Sequence, residues 1–257
     1  MSFRILAVGD VVGEGGLEFL SRNLRRIKIW EKIDFSIVNG ENASGIGITG
    51  AQAQDILDAG ADVITLGNHA FSKQNICNML DDSEYILRPA NFAPQVPGRG
   101  FGEYDTRFGK ICVINLIGRC SMAYGPDNPF IEVKKILKCT DAKFKMIDFH
   151  AEATSEKLAL CYMLDGSVTG IFGTHTHVQT SDGDVFTNGT GYITDVGMTG
   201  PIRSVIGVKP EISVSGFMGN PPIKYAAADG DCKMECAVFE ADEKTGLCIS
   251  VRALRIL

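Results

Sequence analysis

Short apolar runs alternate with amphipathic stretches along the first third of the chain. The runs FRILAVGD, FSIVNGEN and ADVITLGNH predict buried strands, and the segments GLEFLSRNLRRIKIWEKI and TGAQAQDILDAG between them predict helices. In the second of these helices, Thr49 is expected to be the N-cap and Gly60 the C-cap. This regular alternation of strand and helix is typical of α/β architecture.

The rest of the chain continues the pattern and then becomes richer in strands. KICVINL, KFKMIDFH, VTGIFGTHTH and GYITDVG predict strands, and helices are predicted near 72–82, near 130–138 and over TSEKLALCYMLDG, with Thr154 as its cap. CKMECAVFEAD and LCISVRALRIL predict a hairpin joined through EKTG, which indicates a mixed or second sheet. The Gly- and Pro-rich spans 88–109 and 201–231 predict surface loops near the functional site.

Length and charge narrow the class of protein. The 257 residues contain no visible linker or internal repeat, so a single domain over 1–257 is predicted. The formal net charge is -6 and no block of Lys and Arg stands out, so stable nucleic-acid binding is not expected. No apolar run approaches the roughly 20 residues that span a bilayer, and no signal peptide is apparent. A cytoplasmic protein without a membrane segment is therefore predicted.

The chain has eight cysteines, most of them inside apolar runs, and in a reducing compartment they are expected to be free thiols. Cys232 and Cys236 form the one suggestive cluster, CKMEC. If this segment is a strand, the two cysteines share one face with Met234 and pack in the core. A zinc site is the alternative, although no second Cys/His pair follows.

Polar residues follow five of the predicted strands, at the point where each strand ends. A lone histidine is most often a core residue, but these strand ends account for all four histidines in the chain, which favours a common site. Because ligands of open α/β sheets bind at the carboxyl ends of the strands, we expect these side chains to lie together. They are Asp10, Glu41, Asn42, Asn68, His69, His150, His175 and His177.

The donor types point to metal ions. Two carboxylates, two carboxamides and three or four imidazoles exceed the needs of one ion, and they suit two divalent ions about 3.5–4 Å apart, bridged by a carboxylate and a water. The set contains no thiolate, which disfavours a structural zinc cage. Mixed oxygen and nitrogen ligands suit iron, manganese or zinc.

The segment GDVVGEGG admits another interpretation, because it follows a strand and precedes a helix as a dinucleotide-binding turn does. It lacks the G-x-G-x-x-G spacing, and Asp10 would face the pyrophosphate with a negative charge. A nicotinamide-dependent oxidoreductase is therefore the disfavoured alternative.

The blocks GD, GEN, GNH, a later single His and GTHTH resemble those of the calcineurin-like dinuclear metallophosphoesterases. The sequence is more closely similar to the YmdB-like branch, with which it shares GDVVG, NGENA, GNH, RPANF, DFHAEATSEK, GTHTHVQT and ITDVGMTG in order. The resemblance implies a sandwich of two mixed β-sheets flanked by helices. Two positions depart from the broader family: Val12 stands where its first block has His, and Ala70 stands where an acid follows the GNH histidine.

The resemblance also implies a role for each polar residue. Glu41 would bridge both ions, and His69 would stay off the metals and face the substrate. Asp10, Asn42 and His177 would complete one metal site, and Asn68, His150 and His175 would complete the other. If the backbone stays extended, His175 and His177 point to the same side, so each could serve a different ion.

Three further residues have open roles in the sequence. Asp148 lies two residues before His150 and either orients that imidazole or accepts surface hydrogen bonds. Arg119 is expected to be a surface arginine, with a phosphate contact as the alternative. Asn91 is expected to be a loop residue, with a substrate contact as the alternative.

The implied activity is that of a metal-dependent phosphodiesterase acting on 2',3'-cyclic nucleotides. Two cations would lower the pKa of a shared water, the resulting hydroxide would attack phosphorus in line, and His69 would protonate the leaving alkoxide as general acid. His69 as a metal ligand or structural residue is the alternative for that side chain. The alternatives for the whole protein are a nucleotide-type phosphomonoesterase and a regulatory nucleotide- or partner-binding protein with slow incidental hydrolysis. The expected partner is a small phosphoester, and assembly into a homo-oligomer is open.

Overall fold

The computed structural model describes residues 2–122 and 125–257. Within them the strands are β1 (Ser2–Val8), β2 (Asp10–Val11), β3 (Phe35–Asn39), β4 (Val63–Thr65), β5 (Ile86–Leu87), β6 (Phe101–Thr106), β7 (Gly109–Ile117), β8 (Phe144–His150), β9 (Gly170–Thr174), β10 (Asp184–Val185), β11 (Gly191–Ile193), β12 (Met198–Pro201), β13 (Cys232–Asp242) and β14 (Cys248–Ile256). The helices are α1 (Gly13–Trp30), α2 (Gly50–Asp58), α3 (Ile76–Asp82), α4 (Pro129–Leu137), α5 (Thr154–Leu164) and α6 (Pro210–Phe217).

The strands form two mixed sheets. The larger sheet has the order β2-β12-β13-β1-β3-β4-β5, with β14 paired to the long strand β13, and the smaller has the order β10-β11-β9-β8-β7-β6. Strands β1, β3, β4 and β5 run parallel, whereas β13 is antiparallel to β1 and to β14. In the smaller sheet β7, β8 and β9 are parallel, and β6 is antiparallel to β7.

Three hydrophobic layers hold the two sheets and the helices together. Between the sheets, Phe3 of β1 packs on Phe144 of β8 with ring centroids 4.5 Å apart. Residues of β1 alternate, so that Leu6 faces the opposite layer, where it joins Leu20 and Leu24 of α1. A third layer lies between the smaller sheet and helices α4 and α5. The predicted sandwich of two mixed sheets flanked by helices is confirmed.

The predicted ends of two helices had different outcomes. Thr49 caps α2 in a capping box with Gln52, as predicted, whereas the C-cap is Ala59 and Gly60 is the residue after it, with a φ of 110°. The prediction that Thr154 caps α5 is wrong. The cap is Ala153, whose carbonyl accepts hydrogen bonds from the backbone N–H groups of residues 156 and 157, so the helix begins one residue before the expected position.

Both spans predicted as loops contain regular structure. Span 88–109 includes β6, an edge strand whose side chains are all partly or fully exposed, which is why no apolar pattern marked it. Span 201–231 includes α6, a helix with no buried residue. The second span does approach the functional site, because Ile206, Val208 and Tyr225 line the cleft described below.

The cysteines of the described residues are free thiols. Cys236 is buried with Met234 in the hydrophobic layer between the larger sheet and α1, and Cys232 is half-buried. Core packing of this segment was the prediction. None of the helices in the described residues is both long and apolar enough to cross a membrane. The single domain over 1–257, the cytoplasmic location and the homo-oligomer stay predictions.

Candidate metal centre

The predicted polar residues meet at one edge of the sandwich. The carboxyl ends of β1, β3 and β4 in the larger sheet open beside those of β8 and β9 in the smaller sheet. Asp148 of β8 joins the sheets directly beneath this edge, because its Oδ2 accepts hydrogen bonds from Asn39 Nδ2 (3.1 Å) and from the hydroxyl of Thr65. All three of these side chains are completely buried. The two sheets are thereby fixed relative to each other where the candidate ligands emerge.

The first cluster of ligands surrounds one nitrogen, Nε2 of His150. Asn68 Oδ1 lies 2.9 Å from it, Glu41 Oε1 3.0 Å and His175 Nδ1 3.0 Å. A single imidazole nitrogen carries either one proton or one lone pair, so it does not satisfy three close partners at once. Oxygen and nitrogen donors gathered in this way are typical of the ligands around a cation.

The second cluster comprises the predicted ligands Asp10, Asn42 and His177, of which Asn42 and His177 line the same cleft. Nε2 of His177 lies 3.6 Å from Oδ1 of Asp10, and that same oxygen lies 3.9 Å from Nδ1 of His150, which links the two clusters. Oδ1 of Asp10 and Oδ1 of Asn42 are buried without a hydrogen-bond partner in the described part of the chain. Because buried polar atoms are nearly always satisfied, these two oxygens fit a cation as their missing partner.

Gly67 makes the close approach of the ligands possible. A Cβ atom at this position would lie 2.3 Å from Cδ2 of His150 and 2.4 Å from Oε2 of Glu41. Only glycine lets the backbone between β4 and Asn68 pass this close to both side chains. The residues present therefore fit bound metal ions. Glu41, His150 and His175 each offer a ligand atom, and these three atoms lie within 4.8 Å of one another.

His175 and His177 reach the centre by a turn. Strand β9 ends at Thr174, and the two histidines have φ angles of 98° and 62°. The expectation that an extended backbone aligns them is therefore wrong, although each imidazole does contact a different cluster. Non-glycine residues seldom adopt positive φ, and such strained residues concentrate at functional sites. The backbone N–H of His175 donates to Oδ2 of Asp10 at 3.2 Å, which ties the turn to the site.

The ring nitrogen of each histidine that faces away from the centre has its own partner. Nδ1 of His150 lies 2.9 Å from the hydroxyl of Thr174, which in turn donates to Asp148 Oδ1 at 2.7 Å. Nδ1 of His177 donates to the carbonyl of residue 206 at 2.8 Å, and Nε2 of His175 lies 3.3 Å from Oε2 of Glu152. In the neutral form of each imidazole, these partners leave the lone pair of the other ring nitrogen available to a metal.

The residues with open roles are now placed. Asp148 acts on His150 through Thr174, which is the orienting alternative by an indirect route. Asn91 is buried, and both ends of its side-chain amide form hydrogen bonds. Its Nδ2 donates to the carbonyls of residues 117 and 127, and its Oδ1 accepts from the backbone N–H of residue 117. Arg119 is exposed, and its backbone N–H donates to Glu156. Asn91 therefore ties the end of β7 to the loop before α4, and its side chain does not line the cleft.

The buried charged groups of the centre shift one another's pKa values. Burial opposes ionisation of Asp10, but His177 and His150 hold the pKa of Asp10 below its usual range. His150 likewise lowers the pKa of Glu41 against the effect of burial. Burial alone would lower the pKa of His177, but Asp10 raises it to about 9. Burial, together with the charge of His150, lowers the pKa of His175 to about 4, so this imidazole is neutral at pH 7 with a free lone pair.

A cleft of about 370 Å³ opens directly onto the two clusters. His69 lies on its wall, with its backbone N–H donating to Oε2 of Glu41 at 3.1 Å and its Nδ1 3.5 Å from the hydroxyl of Ser72. His69 thus contacts Glu41 through its backbone and presents a partly exposed ring. The cleft is also lined by Ile46, Thr176, Ile206, Val208 and Tyr225.

Comparison with known proteins matches this chain to one family over nearly its whole length. The family model described as YmdB-like protein matches residues 6–254. The chain belongs to the YmdB-like family. The resemblance seen in the spaced motifs is thereby confirmed.

Individual YmdB-like relatives agree with this assignment. The chain is 38% identical to a Bacillus subtilis (strain 168) protein named 2',3'-cyclic-nucleotide 2'-phosphodiesterase, over 98% of this chain and 97% of that one. A crystal structure of a Mycoplasma pneumoniae protein described as a novel phosphatase superposes with a TM-score of 0.93 at 34% identity and covers 100% of this chain and 94% of that chain. A hypothetical protein from Thermus thermophilus gives a TM-score of 0.91 at 34% identity, with coverage of 99% and 100%.

Several residues that serve the YmdB-like centre were not singled out from the sequence. Thr174 and Glu152 contact the candidate ligand histidines, and Lys157 and Asp195 hold the turn that carries two of them. All four lie inside the motifs GTHTHVQT, DFHAEATSEK and ITDVGMTG. The only sign of these roles in the sequence was that the four residues are polar and lie inside the motifs. Their roles could not be predicted from this, because the residues that they contact lie elsewhere in the sequence.

Proposed function

We propose that this YmdB-like protein is a dinuclear, metal-dependent phosphodiesterase that hydrolyses 2',3'-cyclic nucleotides. Two observations carry the proposal: Asp10 Oδ1 and Asn42 Oδ1 are buried without a hydrogen-bond partner among the described residues, and Nε2 of His150 is crowded by donor atoms. The name of the Bacillus subtilis relative supports the substrate.

Two groups of residues would hold the ions. Glu41 suits a bridging carboxylate, because its Oε1 is 3.0 Å from Nε2 of His150 in the first cluster and the next residue in the chain is Asn42 of the second cluster. One ion would be held by Asp10, Asn42 and His177, and the other by Asn68, His150 and His175. Iron, manganese and zinc all accept this mixture of oxygen and imidazole nitrogen.

Bound divalent cations would supply Lewis-acid activation of water and neutralise charge on the phosphoryl group. The chain itself supplies orientation and protons. Thr174 and Asp148 fix the ring of His150, and the carbonyl of residue 206 fixes that of His177. His69 stands on the cleft wall and donates a proton to the departing alkoxide oxygen as general acid.

The shape of the cleft supports a nucleotide as substrate. Its volume of about 370 Å³ lies in the range of small-molecule sites. Ile206, Val208 and Tyr225 contribute apolar surface to the wall of the cleft. A nucleobase packs against such a wall while the cyclic phosphate faces the ligand clusters.

The test combines elemental analysis with a substrate panel. Protein loaded separately with Fe, Mn or Zn is assayed on 2',3'-cyclic AMP, 3'-AMP, 2'-AMP and bis(p-nitrophenyl) phosphate. The proposal predicts two ions per chain and opening of the cyclic ester to a nucleoside monophosphate. Fully loaded protein that hydrolyses none of the diesters would contradict it.

A further inference from the structure

The basic side chains on the wall of the cleft over the metal centre are histidines, namely His69, His175 and His177. Among the described residues that line it there is no lysine or arginine. It has two carboxylates: Glu41, which is buried among the candidate ligands, and Glu152, whose side chain is 53% exposed at the rim. Sites that bind phosphate groups usually place arginine or lysine around them. Here the exposed side-chain charge beside the substrate is negative.

We propose that Glu152 is a specificity-determining residue that selects singly charged phosphodiesters over doubly charged phosphomonoesters. The inference rests on the proposed function and concerns the charge of the substrate. A diester carries one negative charge at neutral pH, whereas a monoester carries nearly two, because its second pKa is about 6. A fixed carboxylate at the rim repels the monoester more strongly, and no described lysine or arginine of the cleft wall compensates for this repulsion.

The structure holds the Glu152 carboxylate toward the centre. Glu152 lies two residues after His150, just beyond β8, and its Oε2 is 3.3 Å from Nε2 of His175. This contact holds the partly exposed carboxylate beside His175 on the wall of the cleft. The same contact gives Glu152 an influence on His175, but that influence acts equally on every substrate. The ratio between a monoester and a diester therefore isolates the effect of charge.

The proposed arrangement also affects the product. Hydrolysis of a cyclic diester adds water across a P–O bond and leaves a phosphomonoester, which gains its second negative charge when it loses a proton to solvent. The substrate thus enters with one charge and the product leaves with two. The repulsion from Glu152 that disfavours monoester substrates also weakens retention of this product.

The experiment removes the negative charge of Glu152 and keeps the shape of its side chain. Glu152→Gln and the wild type, with matched metal content, are compared for kcat/KM on 2',3'-cyclic AMP and on 3'-AMP, and for inhibition of cyclic AMP hydrolysis by 3'-AMP. Removing one charge at a partly exposed site should raise the monoester-to-diester ratio about three- to tenfold and lower the inhibition constant of 3'-AMP by a similar factor. Both changes should be larger at low salt than at 0.5 M NaCl. Where 3'-AMP turnover is below detection, the inhibition constant decides.

The control is Glu84→Gln, which removes an exposed carboxylate that precedes β5 and lies outside the cleft. This variant should leave the ratio and the inhibition constant unchanged. Equal loss of activity on both substrates in Glu152→Gln, with an unchanged inhibition constant, would overturn the proposal and reduce Glu152 to a support for His175. Wild-type protein that is fully loaded and hydrolyses no diester would instead refute the proposed function.

Discussion

Nζ of Lys157 donates a hydrogen bond of 2.9 Å to Oδ2 of Asp195, and both side chains are completely buried. The same ammonium group donates to the carbonyl of Thr174 at 2.9 Å, and the same carboxylate oxygen accepts from the backbone N–H and the hydroxyl of Thr176. The ion pair thereby holds the residues on both sides of His175. It supports a stretch of backbone in which two histidines have positive φ.

Removing one partner of this pair should be costly. Lys157→Met leaves the Asp195 carboxylate buried and uncompensated, so we expect a loss of about 3–5 kcal/mol in the free energy of unfolding, measured with urea. We also expect weaker metal binding, because the turn that carries His175 loses its anchor.

The double variant Lys157→Met/Asp195→Asn should recover part of that loss, because it leaves no unpaired charge. Arg22→Met, which breaks an exposed ion pair with Glu18 on α1, should leave the unfolding midpoint unchanged. Equal effects of Arg22→Met and Lys157→Met would contradict the anchoring role.

Gly67→Ala should damage the metal centre by steric conflict alone. The new methyl group meets Glu41 and His150 at distances that force both side chains to move. We expect reduced metal content by elemental analysis and a destabilisation of about 1–3 kcal/mol. The matched control is Gly216→Ala in α6, where a Cβ atom meets nothing within 4 Å. Normal metal content in Gly67→Ala would show that the ligands tolerate a shift.

Two sets of variants separate metal ligands from the general acid. His175→Ala and Asp10→Ala should lower both metal content and activity. His69→Ala should keep both ions and lose about 10²–10⁴-fold in hydrolysis. Loss of metal from His69→Ala would instead place that residue among the ligands, and full occupancy in the other two variants would exclude them.

Removal of metal should lower the thermal stability of the protein. A ligand present at 100 times its Kd adds about 2.7 kcal/mol to stability, which for a chain of this size raises Tm by about 5 °C or more. We expect this shift when metal is returned to chelator-treated protein in a thermal unfolding experiment. Asp10→Ala should show a smaller shift, and an equal one would argue that the metal binds elsewhere.

The cysteines should differ sharply in reactivity. Burial raises the pKa of Cys112 to about 11 and that of Cys161 and Cys236 to about 12, so at pH 8 these thiols hold about 0.1% thiolate or less. Cys120 and Cys139 are exposed. Alkylation with iodoacetamide followed by mass spectrometry should label these two first. Early labelling of Cys161 or Cys236 in folded protein would contradict the core packing.

The sequence pattern predicted the parts of the fold that bury a regular apolar face. Strands β1, β3 and β4, as well as β7 to β9, appear as continuous apolar runs because helices or a second sheet cover both of their faces. Strand β6 and helix α6 were not predicted, because neither of them buries a regular apolar face. The periodicity of hydrophobic residues indicates which faces are buried, so strands and helices that remain exposed are hard to predict from it.

The candidate site was predictable in its residue types and only partly in its geometry. Donor residues at strand ends indicated where Asp10, Glu41 and His150 would meet. The turn at His175 was not predictable from spacing, because its positive φ depends on anchors such as Asp195, which come from elsewhere in the chain. The role of Glu152 likewise emerges only when the cleft wall is assembled.

The division of the candidate ligands between the sheets links assembly to chemistry. Asp10, Glu41, Asn42 and Asn68 lie in or just after strands of the larger sheet, whereas His150, His175 and His177 lie in or just after strands of the smaller sheet. Neither half of the sandwich carries the full set of candidate ligands. A folding intermediate with only one half formed would therefore be unable to capture its ions, and metal uptake would report that the two halves have docked in register.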